Sequence, residues 1–548
     1  MEGQNTIRSL VGHKEDIFSR SRTGVRIVLL SLLAVLSAIL LSLSFPQYSL
    51  SFLAWFCLAP LLYVLRHTGF FTAALLGFLF GYFFGLTAFS WFVAMGPTGY
   101  FQWLVLFIPV LSLYYLVFGA AYNLCARYLG GWVILAAPCL WAGLEYVRSN
   151  LFFLASSGNL LGHTQYLQPL IIQHADITGV YGISFLILLV NQFISEIPDF
   201  IFNRRNLAGS SMQKKMPAAM YAWHVLLVFA CLLAALFYGY ARMSPPATGN
   251  SIRVAMVQGN VLIKDNMDFQ EQAEYLQVYN NLTMEASVGE PDLIVWPSSS
   301  LPAPIRSSRL VSFALKKISR ETGAHLMVGG AGQEKFSTKK NGKRPYANSE
   351  FLVSPAGEIL AQYNKMILLP FNEYLPLQGT FTWPGWITTL RESFTAGSEY
   401  TLFQVAGAVF GVPICWENYF SNHFRRFVKN GANFMISASN DAFYGRNSGP
   451  YQALANNIFR AVENRVTVAR ISSTGVSCII EQNGVISGMI RDQSGDDLFV
   501  PGVLVKDIPL LKQKTFYTLY GDVFSLVSVT AGIFFVAAAL YLRKAKGK

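Results

Sequence analysis

Hydrophobic residues fall into long runs over the first 245 residues and again near the C-terminus, with shorter runs between. The long runs predict eight membrane-spanning segments, at residues 25–44, 50–65, 70–95, 103–126, 131–150, 177–200, 219–241 and 520–542. Most of them reach the roughly 20 residues that a helix needs to cross a bilayer, and the second is short. The pattern therefore predicts an α-helical membrane bundle over residues 25–245, completed by an eighth helix at 520–542.

Residues 251–510 show a different pattern, in which short β-branched runs alternate with amphipathic helical spacing. Strands are predicted at Ile252–Val257 and Asp292–Trp296, each followed by a helical segment. Two further strands flank the turn sequence Pro355-Ala-Gly357, which is hairpin chemistry. Strands that alternate with helices and then form antiparallel ribbons are typical of an α/β or αββα layered domain.

Composition supports a division into a membrane part and a soluble part. The chain is 53% hydrophobic and only 13% charged, whereas soluble domains carry about 25% charged residues. A net charge of +12 could suggest a nucleic-acid partner. However, the basic residues lie in the N-terminal tail and in short loops beside apolar runs, and most acidic residues lie between 265 and 500. The charge is therefore a topology signal, and we predict no nucleic-acid partner.

The basic residues also predict the orientation in the membrane. With eight spans, five basic segments fall on one side: the tail at 1–24, the turns at Arg66 and Arg127, the loop at 204–215 and the C-terminal tail at 543–548. Lys and Arg are enriched in cytoplasmic loops, so this side is predicted to be cytoplasmic. The 251–510 domain then faces the opposite compartment, which in a bacterium is the periplasm.

Cysteine and histidine spacing gives no sign of a metal site. The six cysteines are scattered, without a CxxC pair, and the seven histidines form no HExxH motif. We therefore predict no metal and no cofactor. A disulfide between Cys415 and Cys478 remains open at this stage.

One cysteine is a candidate nucleophile. The apolar run 408–414 ends at Cys415, and the carboxylate Glu417 follows two residues later. A strand that presents a thiol at its carboxyl end holds a nucleophile on a rigid base. The alternative is that Cys415 is a small core residue, because free cysteine is often buried.

Two charged residues at neighbouring strand ends fit the same chemistry. Lys365 follows a predicted strand, and Glu373 lies in a loop bracketed by prolines. A lysine favours the thiolate and can stabilise an oxyanion, while a carboxylate can exchange a proton. Taken singly, Lys365 could be a solvated loop cation and Glu373 a loop hydrogen-bond acceptor. Together with Cys415 they predict an acyl-transfer site.

A second charged pair lies in the membrane part. Glu145 and Arg148 are three residues apart near the end of the fifth predicted span, so they share one helix face. They are either an interfacial ion pair that anchors the helix or a contact for a lipid headgroup or substrate.

Several motifs carry a family resemblance. They are Asp292-Leu-Ile-Val-Trp-Pro297, Tyr363-Asn-Lys365, Pro370-Phe-Asn-Glu373, Ile414-Cys-Trp-Glu417, Ser439-Asn-Asp-Ala-Phe443 and Arg460-Ala-Val-Glu-Asn-Arg465. These motifs resemble those of the nitrilase superfamily. With the spans on either side and Gly179-Val-Tyr-Gly182 in the membrane half, the chain resembles the bacterial apolipoprotein N-acyltransferase family over residues 25–540.

The resemblance implies a fold and a reaction. The fold is an eight-helix bundle in the bacterial inner membrane, carrying an αββα nitrilase-like domain on its periplasmic side. The reaction is ping-pong: Cys415 takes an acyl chain from a phospholipid, typically phosphatidylethanolamine. It then passes the chain to the α-amine of the diacylglyceryl-cysteine of an apolipoprotein. Lys365 would stabilise the oxyanion and Glu373 would position it, while Trp416, Glu417 and Trp296 would surround the substrate.

One position departs from the family pattern. The general base is a glutamate directly after the Trp-Pro of the second strand, and this chain has Ser298 there. Losing a general base typically costs 10²–10⁴-fold in rate. Three explanations are open. Glu373 or Glu417 takes over as base, the chain is an impaired homologue that binds lipid or lipoprotein, or the glutamate was replaced deliberately. A membrane-tethered amidase or nitrilase that uses water as acceptor is a further alternative.

Overall fold

The computed structural model describes residues 25–151, 155–202, 217–243, 249–264, 267–333, 346–390 and 393–546. The predicted N-terminal tail, the whole basic loop at 204–215 and the last two residues lie outside the described residues. Two parts make up the rest: a bundle of apolar helices and a two-sheet α/β domain.

The membrane part is a bundle of apolar helices. Its helices are α1 (Val25–Ser44), α2 (Ala59–Arg66), α3 (Phe70–Ala88), α4 (Gly96–Phe101), α5 (Ile108–Tyr128), α6 (Val133–Asn150), α7 (Pro169–Ile172), α8 (Ala175–Thr178), α9 (Val180–Phe202) and α10 (Ala218–Arg242). Including a last helix after the soluble domain, 7 helical segments of the described chain are long and apolar enough to span a membrane. The second predicted span is the shorter apolar segment Ser51–Arg66. The predicted helical bundle is confirmed, and the chain is a multi-pass membrane protein.

Glycines let two of these helices approach closely. A Cβ on Gly77 of α3 would lie 2.2 Å from the carbonyl oxygen of Tyr115 in α5, and a Cβ on Gly119 of α5 would lie 2.4 Å from that of Ala73. Small residues at such crossings allow backbone contact, which is how membrane helices gain packing energy without a hydrophobic driving force.

The soluble domain contains two six-stranded sheets, in the orders β12-β1-β2-β3-β4-β5 and β11-β10-β9-β8-β7-β6. The strands are β1 (Ser251–Gln258), β2 (Leu293–Val295), β3 (His325–Gln333), β4 (Tyr346–Val353), β5 (Ile359–Asn364), β6 (Phe403–Val405), β7 (Ala408–Gly411), β8 (Phe434–Ser439), β9 (Val468–Ser472), β10 (Cys478–Ile480), β11 (Ile486–Met489) and β12 (Gly502–Pro509). The helices are α11 (Phe269–Ser287), α12 (Arg309–Thr322), α13 (Ser421–Lys429), α14 (Gly449–Asn464) and α15 (Phe516–Tyr520), after which α16 (Val523–Lys546) completes the membrane bundle.

Side-chain alternation assigns the two faces of the first sheet. Met327 of β3 and Leu352 of β4 belong to the core shared with the second sheet. Their neighbours Val328 and Phe351 belong to a separate cluster formed with α11 and α12. Successive side chains of a strand point to opposite faces, so the first sheet has an inner face on the second sheet and an outer face under helices. With α13 and α14 packed on the second sheet, the predicted αββα sandwich is confirmed.

The third predicted span ends earlier than expected. We predicted residues 70–95, but α3 ends at Ala88 and a 3-10 turn covers Ser90–Met95. The free carbonyl of Ala88 accepts a hydrogen bond from Gln452 Nε2 at 2.7 Å, and Trp91 Nε1 donates to Gln452 Oε1 at 2.9 Å. The soluble domain therefore completes the helix end that the sequence pattern could not show.

Candidate active site

Cys415 lies where the chain leaves the second sheet. It follows β7 by four residues and is the first residue of a 3-10 turn, Cys415–Tyr419. Its φ is 49°, a left-handed conformation that costs free energy for a residue with a Cβ and is typical of functional positions. Cys415 and Cys478 are both free, so the disulfide left open by the sequence is absent between these two described residues.

The thiol opens into an apolar cavity of about 300 Å³ between the membrane helices and the soluble domain. Aromatic and aliphatic side chains from both parts line it: Trp91, Phe92, Leu106, Phe107, Val110, Leu111 and Tyr114 from the bundle, and Leu369, Phe371, Trp383, Trp416, Phe443 and Tyr444 from the soluble domain. Such a cavity fits an acyl chain better than a small polar amide.

Lys365 and Glu373 form a buried pair beside the thiol. Lys365 Nζ lies 2.7 Å from Glu373 Oε2, and the lysine side chain is only 2% exposed. Glu373 also accepts from Asn348 Nδ2 at 3.0 Å and from Leu369 N at 2.7 Å. Burial alone would lower the pKa of Lys365, but Glu373 and Cys415 outweigh it and raise that pKa. Lys365 is therefore a fixed, protonated cation, and the solvated-loop interpretation is wrong.

Burial controls the state of the nucleophile. It raises the pKa of Cys415 to about 11, although the charge of Lys365 acts in the opposite direction. The thiol is therefore protonated at neutral pH in the unliganded site, and the thiolate is the reactive form. Attack on a carbonyl consequently needs a group that accepts the Sγ proton.

Glu417 holds the backbone around the nucleophile. Its carboxylate accepts from the backbone N–H groups of Ile414, Met366 and Ile367 at 2.6–3.0 Å. Burial raises the pKa of Glu417, but His423 and the N–H of Ile414 outweigh burial, so the pKa lies below its ordinary value. A carboxylate that accepts this many hydrogen bonds is a poor base, because they stabilise its ionised form. Its place in the structure is that of a positioning residue between the Lys365 loop and the Cys415 turn.

Two residues of the second strand motif lie apart from the cavity lining. Trp296 is fully buried under α11, where its Nε1 donates to Thr283 at 3.0 Å, and it belongs to the outer-face cluster. Alternation along β2 sends it away from the inner face, so we withdraw its predicted substrate contact. Ser298 is 1% exposed and lies at the carboxyl end of β2.

Glu145 and Arg148 separate into two roles. Glu145 Oε1 accepts from Trp141 Nε1 at 3.0 Å and from Leu161 N at 2.7 Å. Arg148 donates to the carbonyls of Gly158 and Asn159, both at 3.1 Å, and it lines the cavity. The two side chains thus use different partners, so the interpretation as an interfacial ion pair is wrong. Glu145 fixes the loop that follows α6, and only Arg148 can reach a molecule in the cavity.

Two polar residues on the inner face of β4 were not predicted from the sequence as part of the site. Asn348 holds Glu373, as described above. Glu350, two residues further on, is fully buried, and neither of its carboxylate oxygens has a hydrogen-bond partner. A signal was present in the sequence, because this charged residue directly precedes the apolar residues Phe351-Leu-Val353 of a predicted strand.

The burial of Glu350 should make the thermal stability of the protein depend on pH. Burial raises the pKa of Glu350 well above its ordinary value. A raised pKa in the folded state gives stability that is present at low pH and is lost as the pH rises through the folded-state pKa. We therefore expect Glu350→Gln to raise the melting temperature, by a margin that widens from pH 5 to pH 8. Thermal unfolding in detergent measures this, and equal melting temperatures throughout would show a solvated carboxylate.

No group of three or more His, Cys, Asp or Glu side chains within the described ranges is placed to hold a metal ion.

Comparison with known proteins covers both parts of the chain. Residues 37–193 match the family described as apolipoprotein N-acyltransferase N-terminal domain, and residues 253–511 match the family described as carbon-nitrogen hydrolase. Among solved structures, an amidase from Nesterenkonia sp. AN1 aligns with a TM-score of 0.33 and 19% identity, covering 48% of this chain and 94% of the amidase.

Two relatives match nearly the whole chain. The apolipoprotein N-acyltransferase of Geobacter metallireducens is 34% identical over 530 residues, covering 94% of this chain and 95% of the relative. The apolipoprotein N-acyltransferase 1 of Treponema denticola is 29% identical over 537 residues, covering 90% and 93% respectively. With both parts matched and this identity across nearly its whole length, the chain belongs to the apolipoprotein N-acyltransferase family.

Proposed function

We propose that the protein transfers an acyl chain from a phospholipid, through a thioester on Cys415, to the N-terminal α-amine of a diacylglyceryl-cysteine apolipoprotein. The observation that carries the proposal is the position of Cys415. The thiol lies beside a buried lysine–glutamate pair and opens into an apolar cavity that membrane helices help to form. A lipid donor explains why membrane helices supply part of the cavity wall.

In the first half-reaction the Cys415 thiolate attacks the ester carbonyl of the donor, which we take to be phosphatidylethanolamine. Lys365 donates a charge-assisted hydrogen bond to the oxyanion that develops, and Glu373 holds Lys365 in place. The tetrahedral intermediate collapses, the lysophospholipid leaves, and the acyl chain stays in the cavity as a thioester. Arg148, whose buried Nε has no partner, is placed to contact polar atoms of the donor.

In the second half-reaction the α-amine of the acceptor attacks the thioester. Lys365 again stabilises the oxyanion, and the Cys415 sulfur leaves as the amide forms. Trp416, which lines the cavity next to the nucleophile, would shape the space that both substrates share in turn. Splitting one difficult transfer into two steps is the usual advantage of a covalent intermediate.

We further propose that the α/β domain faces the periplasm from the bacterial inner membrane. Three contacts support this orientation. Arg66 Nη1 lies 3.7 Å from Asp199 Oδ2. Arg127 donates a hydrogen bond to the carbonyl of Thr68. The ammonium group of Lys546 lies over the ring of Tyr128. These contacts gather basic residues from three segments at one end of the bundle. Arg148 and the cavity lie at the other end with the soluble domain, so the positive-inside rule puts that domain outside the cytoplasm.

Mass spectrometry tests the proposed function directly. The purified protein is incubated with phosphatidylethanolamine and then with a diacylglyceryl-cysteine peptide. We expect an acyl adduct that hydroxylamine removes, that maps to Cys415 and that disappears as the peptide gains one acyl chain. Absence of the adduct under every donor tried would contradict the proposal. Release of free fatty acid in place of acyl-peptide would instead favour the amidase-like alternative.

Filling the cavity should change which donors react. Val110 lines the cavity, so Val110→Trp removes space for the acyl chain. Each methylene that can no longer be buried costs about 0.8 kcal/mol. Excluding four of them would therefore lower transfer from a sixteen-carbon donor by about 200-fold relative to an eight-carbon donor.

The matched control is Val105→Trp in the same helical run, since Val105 is 46% exposed and lies outside the cavity. Competition between the two donors in one assay measures the ratio. An unchanged ratio in Val110→Trp would mean that the acyl chain lies elsewhere.

A further inference from the structure

The proposed reaction lacks a base at the position where its family has one. The Ser298 hydroxyl cannot accept a proton at neutral pH, and the Cys415 thiol is protonated in the unliganded site. Some other group must therefore take the Sγ proton if this chain forms a thioester.

The carboxylates nearest the nucleophile are already engaged. Glu373 is paired with Lys365, Glu417 accepts from three backbone N–H groups, and Asp441 is paired with the buried guanidinium of Arg470. Accepting a proton would break these contacts and leave buried donors or cations without partners. This argues against Glu373 and Glu417, the two substitutes that the sequence analysis left open.

Glu350 is the carboxylate with both oxygens free. Among the described residues, Glu350 is the only buried carboxylate whose two oxygens both lack a hydrogen-bond partner. Alternation along β4 puts Glu350 on the inner face, between Leu352 of the core and Asn348, whose side chain holds Glu373. It therefore shares a face with the residues that support Lys365.

Its carboxylate also lies close to the backbone of Ser298, the residue at the position of the missing base. Glu350 pairs directly with Gly329 of β3. The point that a Cβ on Gly329 would occupy lies 2.7 Å from Glu350 Oε1 and 2.6 Å from Ser298 Cα. Because Gly329 has no side chain, the carboxylate of Glu350 has space to lie beside the backbone of Ser298.

We propose that Glu350 is the general base of this enzyme, supplying from β4 the carboxylate that its family carries at position 298. The proposal rests on the proposed function. Catalytic hydrogen bonds are often long in unliganded sites and shorten once substrate is bound. Burial raises the pKa of Glu350, which brings its basicity closer to that of the thiol.

In each half-reaction Glu350 accepts one proton and then gives it up again. Glu350 takes the proton from Cys415 Sγ, the C–S bond forms, the ester C–O bond breaks, and the proton goes to the departing glycerol oxygen. In the second half-reaction Glu350 takes a proton from the attacking amine as the C–N bond forms. The C–S bond then breaks, and the same proton returns to sulfur. No metal, oxidant or further reactant is needed.

The rate of thioester formation on Cys415 tests the proposal. With phosphatidylethanolamine as donor, Glu350→Gln should slow adduct formation by about 10²–10⁴-fold. The control is Glu358→Gln, the same change at an exposed position of the same hairpin, which should stay within about twofold of the original protein. The double variant Glu350→Gln/Ser298→Glu should recover at least tenfold, because it returns a carboxylate to the same space.

A pH profile separates a base from a structural residue. The original protein should lose thioester formation as the pH falls through one ionisation, and Glu350→Gln should lose that limb. A slow variant that keeps the limb would overturn the proposal, because a structural defect lowers the rate at every pH. Glu350→Gln within threefold of the original rate, or a double variant with no recovery, would also overturn it. If the original protein forms no thioester, the proposed function itself has failed.

Discussion

Replacing Cys415 by alanine is expected to abolish both the acyl adduct and N-acyl transfer, with a loss of more than about 10⁴-fold, as is usual when a covalent nucleophile is removed. Alanine lacks only the sulfur atom and keeps the Cβ, so the turn at 415–419 should fold as before. Intact-protein mass spectrometry and acyl-peptide production measure the two losses separately. Retention of more than a trace of transfer would show that the acyl group travels without a thioester on this residue.

The control for that experiment is a second buried thiol. Cys478 lies in β10, is fully buried and is not part of the cavity lining. Cys478→Ala makes the same chemical change in the same domain, and we expect transfer to stay within about twofold of the original protein. A large loss in both variants would indicate that the thiol-to-methyl change damages the fold, and the assignment of Cys415 would then lack support.

The layered domain was predictable because its strands keep a simple pattern. The first strand was predicted at Ile252–Val257 and is observed at Ser251–Gln258. The later strands were harder. In β9, Val468–Ser472, every residue is buried, including Arg470 and Ser472. Neither alternation nor an apolar run marks such a strand, because Arg470 is held inside the protein by Ser439 and Asp441, which lie about thirty residues earlier in the chain.

The site was predictable as a set of motifs but not as a geometry. Spacing and strand ends indicated Cys415, Lys365 and Glu373. The sequence could not show that Glu417 is held by N–H groups some fifty residues away in the chain. It also could not show that Arg148 reaches the cavity while Glu145 does not. Both facts depend on tertiary contacts between segments whose order along the chain carries no such information.

The missing base is a second feature that sequence motifs alone do not explain. A motif search looks for the glutamate after Trp296-Pro297 and finds Ser298. The pairing of Gly329 with Glu350 brings a carboxylate to that place from a strand more than fifty residues later. What a site needs is a proton acceptor at a point in space, and this sheet can supply one from either of the two strands that flank β3.

Replacing Lys365 by methionine is expected to lower thioester formation by at least about 10³-fold. Methionine keeps most of the apolar stem, so the variant removes the cation that stabilises the thiolate and the donor that meets the oxyanion. Loss of one oxyanion donor alone typically costs 10²–10³-fold. Single-turnover adduct formation on Cys415 measures the effect. Lys264→Met, whose side chain is 72% exposed, is the matched control and should behave like the original protein.

Stability must be separated from catalysis in that variant. Removing one member of a buried ion pair costs about 3–5 kcal/mol, because the other charge stays buried. Lys365→Met alone would therefore lower the melting temperature as well as the rate. The double variant Lys365→Met/Glu373→Gln removes both charges and should recover much of the stability while its rate stays low. If the rate returned together with the stability, Lys365 would be a structural partner of Glu373, and the oxyanion would need another donor.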